Sequence, residues 1–141
     1  MREILFRGKC NEVSKYNGQW IEGFYGEDDG KPIIARSTDL GLIGYFCEPD
    51  SIGQYTGLTD KNGRKIFEGD ILKIIHKYQS PFDDDTKEYT DITTDVVFFD
   101  DEGLCFSYGK SPFLCVVDNV TAEYEVVGNI HDNPELLEVT E

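Results

Sequence analysis

Residues 53–75, GQYTGLTDKNGRKIFEGDILKII, carry the signals that decide the fold. Within them, Asn62-Gly63 tolerates the positive φ angles that tight hairpin turns require. Residues 68–70, Glu-Gly-Asp, mark another turn, and residues 71–75 supply β-branched side chains that pack well on a pleated sheet. The stretch therefore predicts turn, strand, turn and strand, and it contains no recognised catalytic pattern.

Short apolar runs separated by turn residues continue in both directions from this stretch. Two hairpins are expected, one within residues 2–25 and one that pairs 95–100 with 104–108. Residues 27–32 predict a polar loop, and residues 79–94, which contain three consecutive Asp and a Pro, predict an exposed loop. Further strands are predicted at residues 33–35, 42–46, 113–117 and 123–127.

The regular spacing of these strands indicates a mainly β fold. Eight or more short antiparallel strands without a long helical pattern favour a small barrel with additional strands over a βαβ architecture. One short C-terminal helix is expected, because Asn133 can cap it and Pro134 needs no hydrogen-bond donor at its first position. Residues 71–78 and 95–100 are apolar on both faces, which predicts cover from a second lobe or from another subunit and hence homo-oligomerisation.

The composition predicts a folded, acidic, single domain spanning residues 1–141. Hydrophobic residues make up 39% of the chain, enough to build a core without metals or disulfides. The net charge of −15 makes nucleic acid an unlikely partner, since phosphate binding depends on Lys and Arg. Residues 79–102 hold nine acidic residues and one Lys, a net of −8, whereas residues 60–77 hold five basic and three acidic residues, a net of +2. This asymmetry fits either self-association or a solvated acidic loop.

Four widely spaced cysteines, Cys10, Cys47, Cys105 and Cys115, include no Cys-x-x-Cys pair. They indicate neither a zinc site nor a dithiol redox centre, and buried free thiols are expected. No charged-then-apolar leader opens the sequence, and no apolar run approaches the ~20 residues that cross a membrane. We therefore expect a cytoplasmic protein with no membrane partner.

Several motifs together resemble the YopX family of phage and prophage proteins, in matching order over nearly the whole chain. The resemblance implies a small, mainly β protein with an SH3-like barrel, encoded by phages or prophages, with no established reaction or ligand. The acidic segment 79–94 departs from the family pattern. The motifs are FRGK at 6–9, NGQWIEG at 17–23, GQYTGLTDKNG at 53–63, EGDI at 68–71, VGNI at 127–130 and NPEL at 133–136.

Metal sites find little support in the residue pattern. Asp60 and Asn62 match positions 1 and 3 of a calcium loop, but Arg64 and Ile71 stand where positions 5 and 12 need oxygen ligands. A hairpin turn explains the segment better. A magnesium site that uses the carboxylates of residues 83–85 with water remains open.

Catalytic groups are also scarce. His76 and His131 are the only histidines, and each has an ordinary structural role available, on a strand and in a turn. Glu68 and Asp70 could act as an acid–base pair, but their spacing around Gly69 suits a turn equally well. No nucleotide-binding loop is present. We expect a protein without enzymatic activity or a cofactor.

A candidate binding surface consists of Trp20, Tyr55, Lys61 and Arg64, which would form an aromatic and basic patch if their hairpins meet. Packing of the two aromatic residues in the core is the competing interpretation. The leading functional hypothesis is an oligomeric β-barrel accessory module that contacts host or phage proteins. The alternatives are an acidic decoy that occupies a host nucleic-acid-binding protein and, less favoured because of charge, direct nucleic-acid binding.

Overall fold

The computed structural model describes residues 4–79, 88–100, 105–108 and 122–137 of the protein. The chain divides into two compact units, residues 1–57 and 58–141. Each unit has a buried apolar cluster of its own. That both units belong to one domain stays a prediction.

The first unit is built on an antiparallel sheet. Its strands are β1 (Phe6–Lys9), β2 (Trp20–Asp28), β3 (Lys31–Thr38), β4 (Gly41–Phe46) and β5 (Gly53–Thr59), which crosses into the second unit. With β6 (Lys65–Phe67), the six strands of this sheet lie in the order β4-β3-β2-β1-β5-β6, so β4 forms an edge. The hairpin predicted within residues 2–25 is confirmed, since β1 pairs with β2 in antiparallel register.

The polar loop predicted at residues 27–32 is a tight turn. Strand β2 runs to Asp28 and β3 starts at Lys31, so Asp29 and Gly30 alone connect them. Both adopt positive φ, 52° and 76°, as hairpin turns of the primed types require. The prediction was wrong in extent because polar side chains on exposed strand ends resemble a loop in sequence.

Alternation along the strands places the core of the first unit on one face of the sheet. Ile21 on β2, Ile34 on β3 and Tyr45 on β4 are buried and pack together. Cys10 and Cys47 complete this cluster and are 2% exposed. After β4, a 3₁₀ turn at Pro49–Ser51 leads the chain into β5.

The second unit holds a four-stranded antiparallel sheet in the order β10-β7-β8-β9. Its strands are β7 (Asp70–Gln79), β8 (Glu88–Asp100), β9 (Cys105–Tyr108) and β10 (Ala122–Asn129), preceded by the short β6 (Lys65–Phe67). The predicted pairing of 95–100 with 104–108 is confirmed by the β8–β9 ladder. The strand predicted at 113–117 lies outside the described residues.

Part of the loop predicted at residues 79–94 is a strand. β7 and β8 stay paired from Ile71↔Val96 to Gln79↔Glu88, so residues 88–94 belong to the ladder. Most of these residues are exposed, as expected. The acidic residues suggested a loop, although the segment also contains β-branched residues that favour a strand, such as Thr90 and Ile92. Residues 80–87 of the predicted loop lie outside the described part of the chain.

The core of the second unit confirms that β7 is apolar on both faces near its start. Ile71 and Leu72 are adjacent in sequence and therefore point to opposite sides, yet both are 0% exposed. Leu72 belongs to the main buried cluster of this unit. The other buried members are Ile66, Ile74, Val97, Ala122 and Tyr124.

Two elements of the predicted fold need correction. Within the described residues no pairing joins the two end strands of either sheet, so the sheets are open, whereas a small barrel was predicted. The predicted C-terminal helix is a single 3₁₀ turn at Pro134–Leu137, in which the amide of Leu136 donates to the carbonyl of Asn133. One such turn is too short to form the i→i+4 bonds of an α-helix.

Candidate functional site

The two basic residues of the predicted patch, Lys61 and Arg64, lie in the turn between β5 and β6. Lys61 Nζ is 3.7 Å from Glu123 and 4.0 Å from Glu125, both on β10. Arg64 donates from Nη1 to the carbonyl of Val126, at 3.2 Å. Both cations therefore face groups of their own unit, which reduces the positive charge they offer to a ligand.

The aromatic residues of the predicted patch differ in exposure. Trp20 begins β2 and is half-buried, with the Arg7 guanidinium carbon 4.7 Å from its ring centre, a cation–π contact. Tyr55 on β5 is only 6% exposed. This burial fits the competing interpretation that Tyr55 packs in the core, and a role of Tyr55 in binding stays a prediction. Both lie in the first unit, whereas Lys61 and Arg64 lie in the second.

The turn that carries Lys61 and Arg64 is organised by one buried carboxylate. Asp60 is 4% exposed, and its Oδ1 accepts bonds from the amides of Asn62 and Arg64, each at 2.9 Å. Its Oδ2 accepts from the amide of Val126 on β10, also at 2.9 Å. Gly63 closes the turn at φ 83°. These hydrogen bonds connect the turn to β10, and they stabilise the turn without the ligand set of a calcium loop.

The three backbone amides that donate to Asp60 affect the pKa of its carboxyl group. Burial raises the pKa of Asp60, but the amides of Val126, Arg64 and Asn62, with the Arg64 charge, outweigh it and hold this pKa below its usual value of 3.8. The carboxylate is therefore ionised at neutral pH. It stabilises the turn and offers no proton for catalysis.

The other candidate acid–base and histidine groups have structural roles. Asp70 is 1% exposed and accepts a bond from the amide of Phe67 at 2.7 Å, which fixes the turn before β7. His76 lies exposed on β7. The amide of His131 donates to the Asn129 side chain in the turn after β10.

An unprotected strand edge is the feature that sequence reasoning missed. At the end of β4, the amide of Phe46 points away from β3 and donates to Glu12 Oε1 at 2.6 Å. The amide of the next residue, Cys47, points the other way and donates to the carbonyl of Pro32 on β3. By alternation, the amide and carbonyl groups of Leu42 and Gly44 also point outward. No hydrogen bond from another described residue meets these groups. Strand order, which no local signal reveals, is what makes β4 an edge.

The side chains of β4 leave this edge apolar. The strand reads GLIGYF, with no charged residue and no proline, the devices that usually block an edge. Leu42 is 65% exposed, and Leu40 in the preceding turn is 91% exposed. On the same outer face, Phe24 of β2 is 60% exposed. The edge thus combines unpaired backbone groups with exposed apolar side chains.

An open pocket of about 500 Å³ lies beside the end of β4. Cys47 contributes to its wall, and the thiol of this residue donates weakly to the carbonyl of Tyr45 at 3.4 Å. Burial raises the pKa of this thiol to about 11, and the neighbouring Cys10 and Glu12 add to the rise against an opposing backbone bond from Ile34. The other residues around the pocket are Asn11, Glu12, Val13, Lys31, Pro32, Phe46 and Pro49.

Neither a metal site nor a membrane span emerges in the described part of the chain. Over those residues, no three side chains of His, Cys, Asp or Glu gather closely enough to hold a metal ion. Nor does any helix there have the length and apolar character needed to cross a membrane. The magnesium site considered at residues 83–85 lies outside the described ranges.

Two open antiparallel sheets, with turns that are fixed by Asp and Gly residues, define a mainly β protein. The family model described as YopX protein matches residues 5–138. The chain belongs to the YopX family, as its motifs predicted.

A solved structure supports the fold. The crystal structure of protein EF1440 from Enterococcus faecalis is similar with a TM-score of 0.57 and 23% sequence identity. The match covers 98% of this chain and 100% of that chain. At this identity the likeness concerns the fold alone. Among curated proteins, none matches the sequence.

Proposed function

We propose that the chain is a non-enzymatic accessory protein of a phage or prophage, which self-associates through β4 and acts by contacting proteins. Membership of the YopX family supports the first part. The unprotected edge of β4 is the observation that carries the second part. The SH3-like arrangement implied by the family resemblance stays a prediction for an experimental structure of this chain to test.

The proposed partner on the edge is a second copy, because β4 is complementary to itself. If two β4 strands meet antiparallel about a two-fold axis at Ile43, Leu42 of each copy lies opposite Gly44 of the other. The outward amide and carbonyl groups of these residues then form four hydrogen bonds across the axis. Gly44 has no side chain, so the exposed Leu42 can lie across it. Asn11 and Glu12 already bind Phe46, which limits the new ladder to residues 42–44.

Charge favours the first unit as the place of association. Residues 1–57 hold six basic and nine acidic residues, a net of −3. Residues 58–141 hold seven basic and nineteen acidic residues, a net of −12. Like charges repel most between copies of the second unit, so an uncharged strand on the nearly neutral first unit meets the least repulsion.

Light scattering after size exclusion tests this proposal. We expect the full chain to be dimeric at high micromolar concentration. Leu42→Lys places a charge at the edge and should raise the dissociation constant at least about tenfold. Phe24→Lys is the matched control, because it adds the same charge on β2, an interior strand of the sheet, and should leave the dimer intact. A monomeric natural chain would overturn the proposal, and equal loss in both variants would place the contact on the sheet face.

Acidity favours a second candidate, a decoy that occupies a host nucleic-acid-binding protein. The net charge of −12 on the second unit supports it, together with the exposed Glu88 and Asp91 on β8. An anionic surface can compete with phosphates for a basic partner. The decoy predicts capture of a basic host protein that duplex DNA displaces and that about 0.5 M salt releases. Capture that resists both treatments would contradict it.

A further inference from the structure

Two cysteines that are distant in sequence face each other in the first unit. Cys10 and Cys47 form an isolated antiparallel bridge between the end of β1 and the end of β4. The amide of Asn11 donates to the carbonyl of Phe46 at 3.0 Å, and the amide of Glu48 donates to that of Lys9 at 2.8 Å. These two bonds flank the pair, which makes it a non-hydrogen-bonded pair of the ladder.

This type of pair has the spacing that a disulfide needs. Opposed Cα atoms in a non-hydrogen-bonded antiparallel pair lie about 4.5 Å apart, with their side chains on the same face. Disulfides span Cα separations of about 4.4–6.8 Å. The bond can therefore form without moving either strand far. Both residues are free thiols and both are 2% exposed.

One of the two cysteines borders a pocket that is open to solvent. Cys47 contributes to the wall of the open pocket of about 500 Å³, beside the exposed Val13. Cys10 is not part of that wall. A small reagent in the pocket would thus meet Cys47 first and Cys10 second.

We propose that Cys10 and Cys47 are an oxidation site, which a low-molecular-weight disulfide entering the pocket converts to an intramolecular disulfide. The Cys47 thiolate attacks one sulfur of the reagent and releases one thiol, which takes up the proton from Cys47. The Cys10 thiolate then attacks the Cys47 sulfur of the mixed disulfide and releases the second thiol. The two protein thiols lose two electrons and two protons, and the reagent disulfide gains them.

The reaction should be slow at neutral pH and faster in alkali. Thiolates are the attacking species, and the raised pKa of Cys47 leaves only a small thiolate fraction at pH 7. Each unit of pH increase below that pKa should raise the rate about tenfold while the protein stays folded. The product would join the end of β1 to the end of β4 and resist thermal unfolding better than the reduced chain.

Peptide mapping of the folded, full chain tests the proposal. The protein is incubated with hydroxyethyl disulfide between pH 7 and pH 9, its remaining thiols are alkylated, and its peptides are analysed by mass spectrometry. We expect linked peptides that contain Cys10 and Cys47, at a rate that rises with pH. Mapping the natural chain separates this pair from any product of Cys105 or Cys115.

Two single variants test the order of the steps. Cys10→Ala should stop at a mixed disulfide on Cys47, whereas Cys47→Ala should leave Cys10 unmodified. Circular dichroism confirms that each variant is folded before it is used. If a variant does not fold, a mixed disulfide on Cys47 trapped early in the natural chain gives the same information. The proposal is overturned if both thiols of the folded natural chain stay fully alkylatable at pH 9, or if they link only after addition of denaturant.

Discussion

The turn at residues 60–64 and the edge strand β4 use their polar groups in opposite ways. In the turn, Asp60 accepts three backbone amides, one of them from Val126 on β10. Along β4, Leu42 and Gly44 direct backbone groups outward, where no hydrogen bond from the described residues meets them. The turn is internally satisfied and specifies shape, whereas the edge is unsatisfied and is available for contact. The family motif at residues 53–63 ends in this turn, whereas none of the family motifs includes β4.

The largest effect is expected when the internally satisfied turn loses its carboxylate. Asp60→Ala removes the acceptor of three amides at a site that is 4% exposed. A buried amide left unsatisfied costs about 1–3 kcal/mol, and the three bonds to Asp60 are partly buried, so the free energy of unfolding should fall by about 3 kcal/mol. Chemical denaturation followed by circular dichroism measures it.

Asp39→Ala is the matched control for this loss. Asp39 is an exposed residue of the turn between β3 and β4, so its replacement should change the free energy of unfolding by less than about 0.5 kcal/mol. Asp60→Asn keeps one carbonyl acceptor and should fall between the two. An Asp60→Ala cost as small as that of Asp39→Ala would show that the amides find other partners.

A smaller effect is expected from backbone strain in the second turn of the family motif. Gly69 adopts φ 88°, its amide donates to the carbonyl of Val97, and its own carbonyl accepts from Ile130. An added methyl would lie 3.7 Å from the Ile130 side chain, an ordinary contact. Gly69→Ala should therefore cost only the left-handed conformation, about 1–2 kcal/mol of unfolding free energy.

Gly26→Ala separates this strain from the general effect of replacing glycine. Gly26 lies in β2 and does not adopt a positive φ. A methyl group added at Gly26 would be 3.5 Å from the Ile33 side chain. We expect no loss of stability, because alanine fits the strand and restricts the unfolded chain. Equal costs for the two variants would argue against strain at Gly69.

Local signals explain which parts of the fold the sequence predicts. Asn62-Gly63 and Gly69 impose turns through their own backbone preferences, and residues 71–75 impose a strand through β-branching. These elements are confirmed. Residues 88–94 are missed as a strand because their pairing with β7 comes from another segment and outweighs their charge. The predicted barrel is not confirmed, because the number of strands does not determine whether the end strands of a sheet pair with each other.

The candidate sites depend on contacts that are remote in sequence. Val126 binds Asp60 across a separation of 66 residues, so the burial of this carboxylate has no local signature. Cys10 and Cys47 face each other only because β1 and β4 end side by side. Sequence motifs for metal or redox sites require cysteines that are close in sequence, so they do not detect this pair. The open edge of β4 likewise follows from strand order alone.

The smallest expected effect is the acid dependence of the Asp60 turn. The amides and Arg64 hold the folded-state pKa of Asp60 below 3.8 against the opposing effect of burial. As the pH falls through about 4, the unfolded chain takes up this proton before the folded chain does, so the contribution of Asp60 to stability declines. The excess unfolding free energy of the natural chain over Asp60→Asn should be constant above pH 5 and shrink below pH 4. A difference that stays constant down to pH 2.5 would mean that the turn does not need the ionised carboxylate.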